Sequence, residues 1–233
     1  MNQMKVEFYK LKRTGMMYVA AALYFIMGAA LPIKAVNLHM IENLDIYYFF
    51  HDSVQDVSLV FLTALFVAWF IGQDFNNRVL QHEIAGGYSR FSIIISRVIP
   101  VALASVVMHV IYILGEVITA GFLTGFSFAP FGVADVSWLL TVLVQIVALV
   151  LIMSFITFLS GSLFGGITAT VIFEFFFCNI LRNFLRTGFY TYTCLCFAKD
   201  NSPKTLGFCL LSAVITIVVA LLATYLVFKK KEI

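Results

Sequence analysis

The sequence predicts an all-α integral membrane protein that forms a single domain over residues 1–233 and crosses the bilayer six times. Its residues are 62% hydrophobic and only 12% charged, whereas a soluble domain carries about 25% charged residues. The apolar residues also fall into separate runs of the length that a bilayer requires. A chain of this composition cannot keep its apolar surface out of water by folding alone.

Six apolar runs have the length of a membrane-spanning helix, which needs about 20 residues to cross a hydrocarbon core of about 30 Å. Helices are expected because lipid offers no hydrogen-bonding partner to the backbone. The second run is short, and the third is long enough to tilt or to bend, with Pro100 as the site of the bend. The runs are residues 16–35, 57–72, 91–122, 136–159, 163–181 and 206–228.

The basic residues predict that both termini lie in the cytoplasm. Loops on that side of a membrane protein are enriched in Lys and Arg, and with the N-terminus inside, ten of the fifteen basic residues fall in cytoplasmic segments. Their short clusters at the ends of apolar runs are typical of membrane orientation and not of nucleic-acid binding. The cytoplasmic ten are Lys5, Lys10, Lys12, Arg13, Arg78, Arg90, Arg97 and Lys229 to Lys231; the outer five are Lys34, Arg182, Arg186, Lys199 and Lys204.

The most informative segment connects the second and third spans. Asp74 or Asn76 can cap a short amphipathic helix there, because Asp and Asn side chains accept hydrogen bonds from the first amides of a helix. Gly86 and Gly87 supply the backbone freedom to end this helix, and Ser89 can start the next one.

The predicted helix has two different sides. Leu80 stacks over Ile84 at a spacing of i, i+4, while Arg78, Gln81 and His82 share the opposite side. Such a helix either lies at the inner membrane surface or offers its polar side to a cytoplasmic partner.

This segment resembles the type-2 class of ABC transporter permeases, whose members share an acidic residue, a Phe, an Asn and a Leu ahead of a Gly-x-Ser-Arg turn. The chain departs from the family at Val79 and Gln81, where members commonly carry Thr and Lys. The resemblance extends to residues 7–13 and 228–233 and so covers nearly the whole chain. The residues that carry the match are Asp74, Phe75, Asn76, Leu80, Gly87, Tyr88, Ser89 and Arg90.

The resemblance implies a bacterial plasma-membrane protein whose loop helix docks on a separate cytoplasmic ATPase subunit. A second permease chain, identical or similar, would complete the pathway, and residues 179–204 would form a re-entrant or interfacial segment between spans five and six. ATP and Mg would be bound by the ATPase, in agreement with the lack of a GxxxxGK[ST] phosphate loop in this sequence. The implied ATPase-coupling residues are Asp74, Phe75, Asn76, Arg78, Leu80, His82, Glu83, Gly87, Ser89 and Arg90.

Polar residues inside apolar spans are candidates for a substrate pathway, since a charge at the centre of a spanning helix costs about 2.5 to 3.5 kcal/mol. His109 and Glu116 are separated by seven positions and share one helix face, and Gln145 and Glu174 lie in later spans. All three ionisable residues fall in the outer half of the membrane, where they could line an outward-facing cavity. The alternative is that Glu116 reaches interfacial water, while Glu174 is protonated or pairs with Gln145.

The sequence therefore predicts the non-catalytic membrane subunit of an ATP-driven exporter for an amphipathic or peptide-like substrate. One alternative is a non-transporting membrane protein for signalling or for peptide sequestration and immunity. Another is a membrane serine protease, because Ser162 follows a glycine, but its histidine would have to be His109, which is expected at the opposite depth. The resemblance implies that this chain has no catalytic site of its own. No metal site is expected, because the cysteines lack metal-binding spacing: Cys178, Cys194, Cys196 and Cys209.

Overall fold

The chain folds into helices, as its long apolar runs predict. The computed structural model describes residues 3–37, 46, 49–51, 57–125, 132–173, 175, 198 and 202–231. Within these ranges there is no strand, and five helices are long and apolar enough to cross a membrane. Several such helices in one chain indicate a multi-pass membrane protein.

The chain begins with an amphipathic helix, which the first apolar spanning helix follows. One short helix lies between the second and the third spanning helices. In chain order the helices are α1 (Gln3–Arg13), α2 (Gly15–Asn37), α3 (Val57–Asn76), α4 (Val79–Ala85), α5 (Arg90–Thr124), α6 (Val133–Ser160), α7 (Leu163–Ile172) and α8 (Pro203–Lys230).

Five of the predicted spans correspond to the long helices α2, α3, α5, α6 and α8. The second span is longer than predicted, because α3 continues through polar residues as far as Asn76. The predicted third span, residues 91–122, lies within α5, a helix of 35 residues that contains Pro100. The predicted fifth span begins as α7, whose ten residues are too short to cross a bilayer, and residues 176–181 lie outside the described residues. Most of the predicted interfacial segment, residues 179–204, also lies outside them.

Three helices form the centre of the described structure. The apolar windows of α3, α5 and α6 are buried over more than half of their residues, whereas those of α2 and α8 are buried over less than a quarter. The outer surfaces of α2 and α8 carry large apolar side chains such as Ile26 and Leu222. Because the surrounding lipid is as apolar as these side chains, this exposure is expected of helices at the periphery of a membrane bundle.

Helices α2 and α5 approach each other through a pair of glycines. Gly28 of α2 lies against the carbonyl oxygen of Tyr112, and Gly115 of α5 lies against the carbonyl oxygen of Phe25. A Cβ atom at Gly115 would stand only 2.5 Å from that oxygen. Small residues allow such close backbone contact, which drives helix association where no hydrophobic effect operates.

Helices α1 and α4 and the last turn of α8 lie together at one end of the molecule. Arg97, in the second turn of α5, pairs with Glu7 of α1 and Glu83 of α4. Arg90, in the first turn of α5, donates a hydrogen bond to the carbonyl oxygen of Lys229 in α8. We call this end the α4 end and the opposite one the far end.

The directions of the helices follow from these contacts. The first residues of α6 and α8, including Val133 and Pro203, line one cavity at the far end. Their last residues meet at the α4 end, where Lys231 contacts the carbonyl oxygen of Leu159. Helices α6 and α8 therefore run parallel, both toward the α4 end.

Candidate functional site

A turn separates α4 from each neighbouring helix. Arg78 precedes α4 with a left-handed backbone, φ 56°, which costs a non-glycine residue about 1 to 2 kcal/mol. The helix ends at Ala85, Gly86 is its C-terminal cap, and Gly87 follows with φ 83°. Ser89 then caps α5, its hydroxyl oxygen accepting a hydrogen bond from the Ser92 amide at 3.2 Å. The predicted glycine stop and Ser89 start are confirmed.

The predicted cap of α4 is wrong. Asp74 and Asn76 both belong to the end of α3, and α4 begins without a side-chain cap. The physical reason is that both side chains have other partners. Asp74 faces Lys10 and Arg97, and the side-chain oxygen of Asn76 accepts a hydrogen bond from the Leu163 amide, at 3.1 Å, in the first turn of α7.

Helix α4 has one inward side and one exposed polar side. Leu80 is 1% exposed, and Glu83 turns toward Arg97. The exposed side continues the exposed residues of the turn between α3 and α4. We call this surface the polar face, and it consists of Asn76, Asn77, Arg78, Gln81 and His82. The predicted separation of Leu80 from the polar residues of α4 is confirmed.

Under α4 lies a group of five charged side chains, the Arg97 cluster, which consists of Glu7, Lys10, Asp74, Glu83 and Arg97. The Arg97 side chain is 0% exposed and lies among three carboxylates. Its Nε atom is 3.2 Å from Oδ2 of Asp74, and its Nη2 atom is 2.6 Å from Oε2 of Glu83 and 3.5 Å from Oε1 of Glu7. The ammonium of Lys10 contacts Asp74 and lies 3.5 Å from Glu7. The cluster therefore joins α1, α3, α4 and α5.

The carboxylates of the Arg97 cluster outnumber its cations. Burial raises the pKa of Glu7, and the nearby charges of Lys10 and Arg97 act against that rise. The charges of Asp74 and Glu83 have the same sign as that of Glu7 and add to the rise. Removing one partner of a buried pair is costly because the remaining charge is left away from water. The cluster therefore depends on Arg97, which is shared by all three carboxylates.

The end of α8 supplies a second set of contacts at the α4 end. Arg90 donates hydrogen bonds to the carbonyl oxygens of Phe228 and Lys231, the latter at 2.9 Å. Lys231 in turn donates to the carbonyl oxygens of Phe158 and Leu159, both at 3.0 Å. The last carbonyls of a helix have no hydrogen-bond partner within the helix. Arg90 supplies the missing donor at the end of α8, and Lys231 supplies it at the end of α6.

Aromatic packing fills the space between these ends. The ring of Phe75 lies 5.6 Å from that of Phe158, which lies 5.2 Å from that of Phe228. The ammonium of Lys231 stands 5.3 Å from the centroid of the Phe75 ring, and burial lowers its pKa. Gly161, with φ 66°, leaves room for Lys231, since a Cβ atom there would overlap the ammonium.

The implied ATPase-coupling residues fall into two groups. Those that face inward or are partly buried belong to the contacts just described: Asp74, Phe75, Leu80, Glu83 and Arg90. Those that are exposed either belong to the polar face, as Asn76, Arg78 and His82 do, or follow α4 in the turn before α5, as Gly87 and Ser89 do. The same short segment thus contacts the rest of the structure on one side and is accessible to solvent on the other.

Sequence reasoning missed the Arg97 cluster. The sequence places Lys10 and Arg97 among the cytoplasmic basic residues, and Glu7 and Lys10 in the N-terminal part of the resemblance, but it gives no sign that these side chains meet. One signal was present: Arg97 lies seven residues into α5, about 10 Å from the start of the helix, which is deep for an ion at a water interface. Its three partners lie in other segments of the chain, and sequence spacing alone does not reveal them.

Two of the candidate pathway residues lie between helices. His109 and Glu116 share one face of α5, as predicted, and both are buried. The Nδ1 atom of His109 is 2.8 Å from the carbonyl oxygen of Ser105, and its ring lies 6.3 Å from that of Tyr24 in α2. Glu116 adjoins Gly28 where α2 crosses α5. Helix α2 therefore covers the face that was expected to line an open cavity.

The other two pathway candidates are Gln145 and Glu174. The side-chain oxygen of Gln145 accepts a hydrogen bond from the Ala198 amide at 3.1 Å. Glu174 lies outside the described residues, and so does the alternative in which it pairs with Gln145. Gln145 thus contacts the segment that precedes α8.

Ser162 and His109 do not form a catalytic pair. The hydroxyl oxygen of Ser162 accepts a hydrogen bond from the Gly165 amide at 3.0 Å and caps α7 at the α4 end. His109 lies twelve residues beyond Arg97 along α5, about 18 Å farther from that end. Among the described residues, no group of His, Cys, Asp and Glu has an arrangement that could hold a metal ion.

A second polar cluster, which sequence analysis also missed, lies at the far end. The ring of His51 stacks on that of Trp138 with their centroids 4.1 Å apart, and its Nε2 atom is 3.7 Å from Oδ1 of Asp135. The indole nitrogen of Trp138 donates a hydrogen bond to the carbonyl oxygen of Ala198 at 2.6 Å. These contacts join the segment after α2, the start of α6 and the segment before α8.

The pKa of His51 is expected to lie below its ordinary value of 6.5, because burial lowers it more than Asp135 raises it. The substitution Asp135→Asn removes the raising contribution and should lower the pKa further. Because the fold favours neutral His51, the free energy of unfolding should decrease as the pH falls below about 6.5. Histidine NMR titration in nanodiscs measures the change; a higher pKa in Asp135→Asn than in the wild type would contradict this interpretation.

No protein-family model, curated protein or solved structure matches the chain. The residues at the α4 end and their geometry are therefore the basis for inferring a function.

Proposed function

We propose that this chain is the membrane subunit of an ATP-driven exporter of the type-2 ABC class, and that a cytoplasmic ATPase binds the polar face. One observation carries the proposal. The helix between the second and third spanning helices exposes polar residues on one side, and on the other its Glu83 pairs with Arg97 of α5. The same Arg97 side chain also pairs with Glu7 of α1 and Asp74 of α3, so α4 is linked through it to three helices. Buried pairs with defined geometry resist independent movement of α4, so a force on the polar face is transmitted to α1, α3 and α5.

The proposal includes six membrane crossings with both termini in the cytoplasm. Helix α7 begins at the α4 end, where Leu163 contacts Asn76, and Pro203 lies at the far end. The chain between Leu163 and Pro203 must therefore pass from one end to the other, which supports a sixth crossing in addition to the five long helices. Exposed cations at the α4 end, such as Lys12 and Lys230, favour the cytoplasm for that end.

In this mechanism, ATP binding and hydrolysis occur in the partner. Closure of two ATPase subunits would push the polar faces of two permease chains, identical or similar, and rock their helices between inward and outward openings in a bacterial plasma membrane. Uphill export requires this coupling because binding alone can only shift an existing equilibrium. The largely apolar surfaces of the spanning helices favour an amphipathic or peptide-like substrate. The site of its passage, including any part of His109, Glu116, Gln145 and Glu174, belongs to the same proposal.

The docking surface is tested by purifying the tagged chain in mild detergent and measuring the ATP hydrolysis that purifies with it. Arg78→Glu should reduce the recovered activity by at least about tenfold, because it reverses a charge in the centre of the polar face. Lys5→Glu is the matched control, since it reverses an exposed charge of α1 at the same end but outside the polar face.

Equal loss in both variants would attribute the effect to general charge and would reject the polar face as the docking surface. If the wild-type chain recovers no ATPase, while its thermal unfolding indicates an intact fold, the exporter proposal fails. The non-transporting alternative would then be favoured.

A further inference from the structure

An apolar groove runs between α2 and α3 on the outside of the bundle. It encloses a cavity of about 130 Å³ and is lined almost entirely by carbon. That volume is comparable to the roughly 150 Å³ apolar cavities that remain dry and bind benzene. The lining residues are Met16, Val19, Ala20, Leu23, Tyr24, Leu62, Leu65, Phe66 and Trp69.

The groove has the depth of one leaflet. Along α2 it extends from Met16, one residue after the start of the helix, to Tyr24. At 1.5 Å per residue this distance is about 12 Å, close to half of a hydrocarbon core of about 30 Å. The hydroxyl of Tyr24 lies 3.2 Å from that of Thr63 and closes the deep end. The groove thus opens to the acyl chains of the leaflet on the α4 side.

Positive charge lies at the shallow end of the groove. Lys12 and Arg13 are exposed at the end of α1, immediately before the first lining residue, Met16. The hydroxyl of Tyr18 donates a hydrogen bond to the carbonyl oxygen of Lys12 at 3.0 Å and holds the end of α1 against the first turn of α2. Glu7 is buried in the Arg97 cluster, so it does not offset this charge at the surface.

We propose that the groove is a binding site for one anionic phospholipid of the leaflet on the α4 side. An acyl chain occupies the groove between α2 and α3, and the phosphate lies beside Lys12 and Arg13. Charge complementarity selects the ligand, because a cation near the membrane surface attracts anionic lipid more strongly than zwitterionic lipid. The length of the groove selects a chain from this leaflet. The proposal does not depend on ATP-driven export.

Native mass spectrometry of the detergent-purified chain tests this site with phosphatidylglycerol and phosphatidylcholine of identical acyl chains. The wild type should bind phosphatidylglycerol at least about fivefold more tightly. Neutralising both cations with Lys12→Gln and Arg13→Gln should remove this preference and leave phosphatidylcholine binding unchanged. Filling the groove with Ala20→Phe should weaken binding of both lipids, because the acyl chain loses its space.

Matched controls separate this site from general membrane effects. Lys229→Gln with Lys230→Gln neutralises two exposed cations at the same end, and Ala134→Phe fills the far-end cavity between α6 and α8. Both controls should retain the lipid preference. Ala20→Leu replaces Ala20→Phe if the larger variant does not fold. Equal binding of the two lipids by the wild type, or unchanged binding in a folded groove-filled variant, would overturn the proposal.

Discussion

Replacing Arg97 with methionine is expected to lower the free energy of unfolding by about 3 to 5 kcal/mol. Methionine retains much of the side-chain volume but leaves Glu7, Asp74 and Glu83 with Lys10 as the remaining cation of the cluster. The remaining carboxylates are held in a region that excludes water, and they repel one another. Thermal unfolding in detergent, followed by tryptophan fluorescence, measures the loss.

The matched control for this prediction is Arg78→Met. It makes the same chemical change at an exposed position of the polar face, so the free energy of unfolding should change by less than about 0.5 kcal/mol. An Arg97→Met protein as stable as Arg78→Met would mean that the Arg97 cluster contributes little to the fold. The two variants also distinguish the Arg97 cluster from the proposed docking surface, since Arg78→Met should reduce the ATPase activity that we propose purifies with the chain and should leave the stability unchanged.

The Arg97 cluster illustrates which features could be predicted from the sequence. The spanning helices were predictable because each depends on a local property, an uninterrupted apolar run of sufficient length. The end of α4 was predictable for the same reason, since Gly86 and Gly87 act on their own backbone. Arg97 was classified as an orientation signal, because an interfacial arginine and a buried one have the same appearance in a sequence.

The incorrect cap of α4 has a related cause. Asp74 is a good capping residue by type, but its two carboxylate oxygens face Lys10 and Arg97 and are therefore turned away from the first amides of α4. Whether Asp74 forms these ion pairs or caps α4 depends on where α1 and α5 lie, which local sequence does not specify. The same is true of His51 and Trp138, whose contact requires two segments more than eighty residues apart to meet.

Replacing Gly28 with alanine should separate α2 from α5 and destabilise the fold by about 1 to 3 kcal/mol. The added methyl group would overlap the carbonyl oxygen of Tyr112 and stand 3.3 Å from the amide nitrogen of Glu116. Both are backbone atoms, so no side-chain rotation relieves the overlap. The change in thermal unfolding is the measurement, and cysteine crosslinking between α2 and α5 would report the separation directly.

Gly207→Ala is the control for this effect. Gly207 lies in α8 with no atom within 4 Å of an added Cβ, so only the higher helix propensity of alanine remains. Since that propensity favours alanine by about 1 kcal/mol in a helix interior, Gly207→Ala should leave stability unchanged or slightly increased. Similar unfolding temperatures for the two variants would contradict close contact at Gly28.

The bonds that Arg90 and Lys231 make at the end of α8 have a consequence for biosynthesis. A ribosome releases the polar face and its ionic anchor long before it reaches Lys231, because Glu7, Asp74, Glu83 and Arg97 all lie in the first half of the chain. Until α8 has been inserted, the carbonyl oxygens at the end of α6 lack their lysine, and Arg90 lacks its acceptors. A nascent chain that stalls before α8 would therefore expose these polar groups at the membrane surface, where quality-control proteases can recognise an unfinished chain.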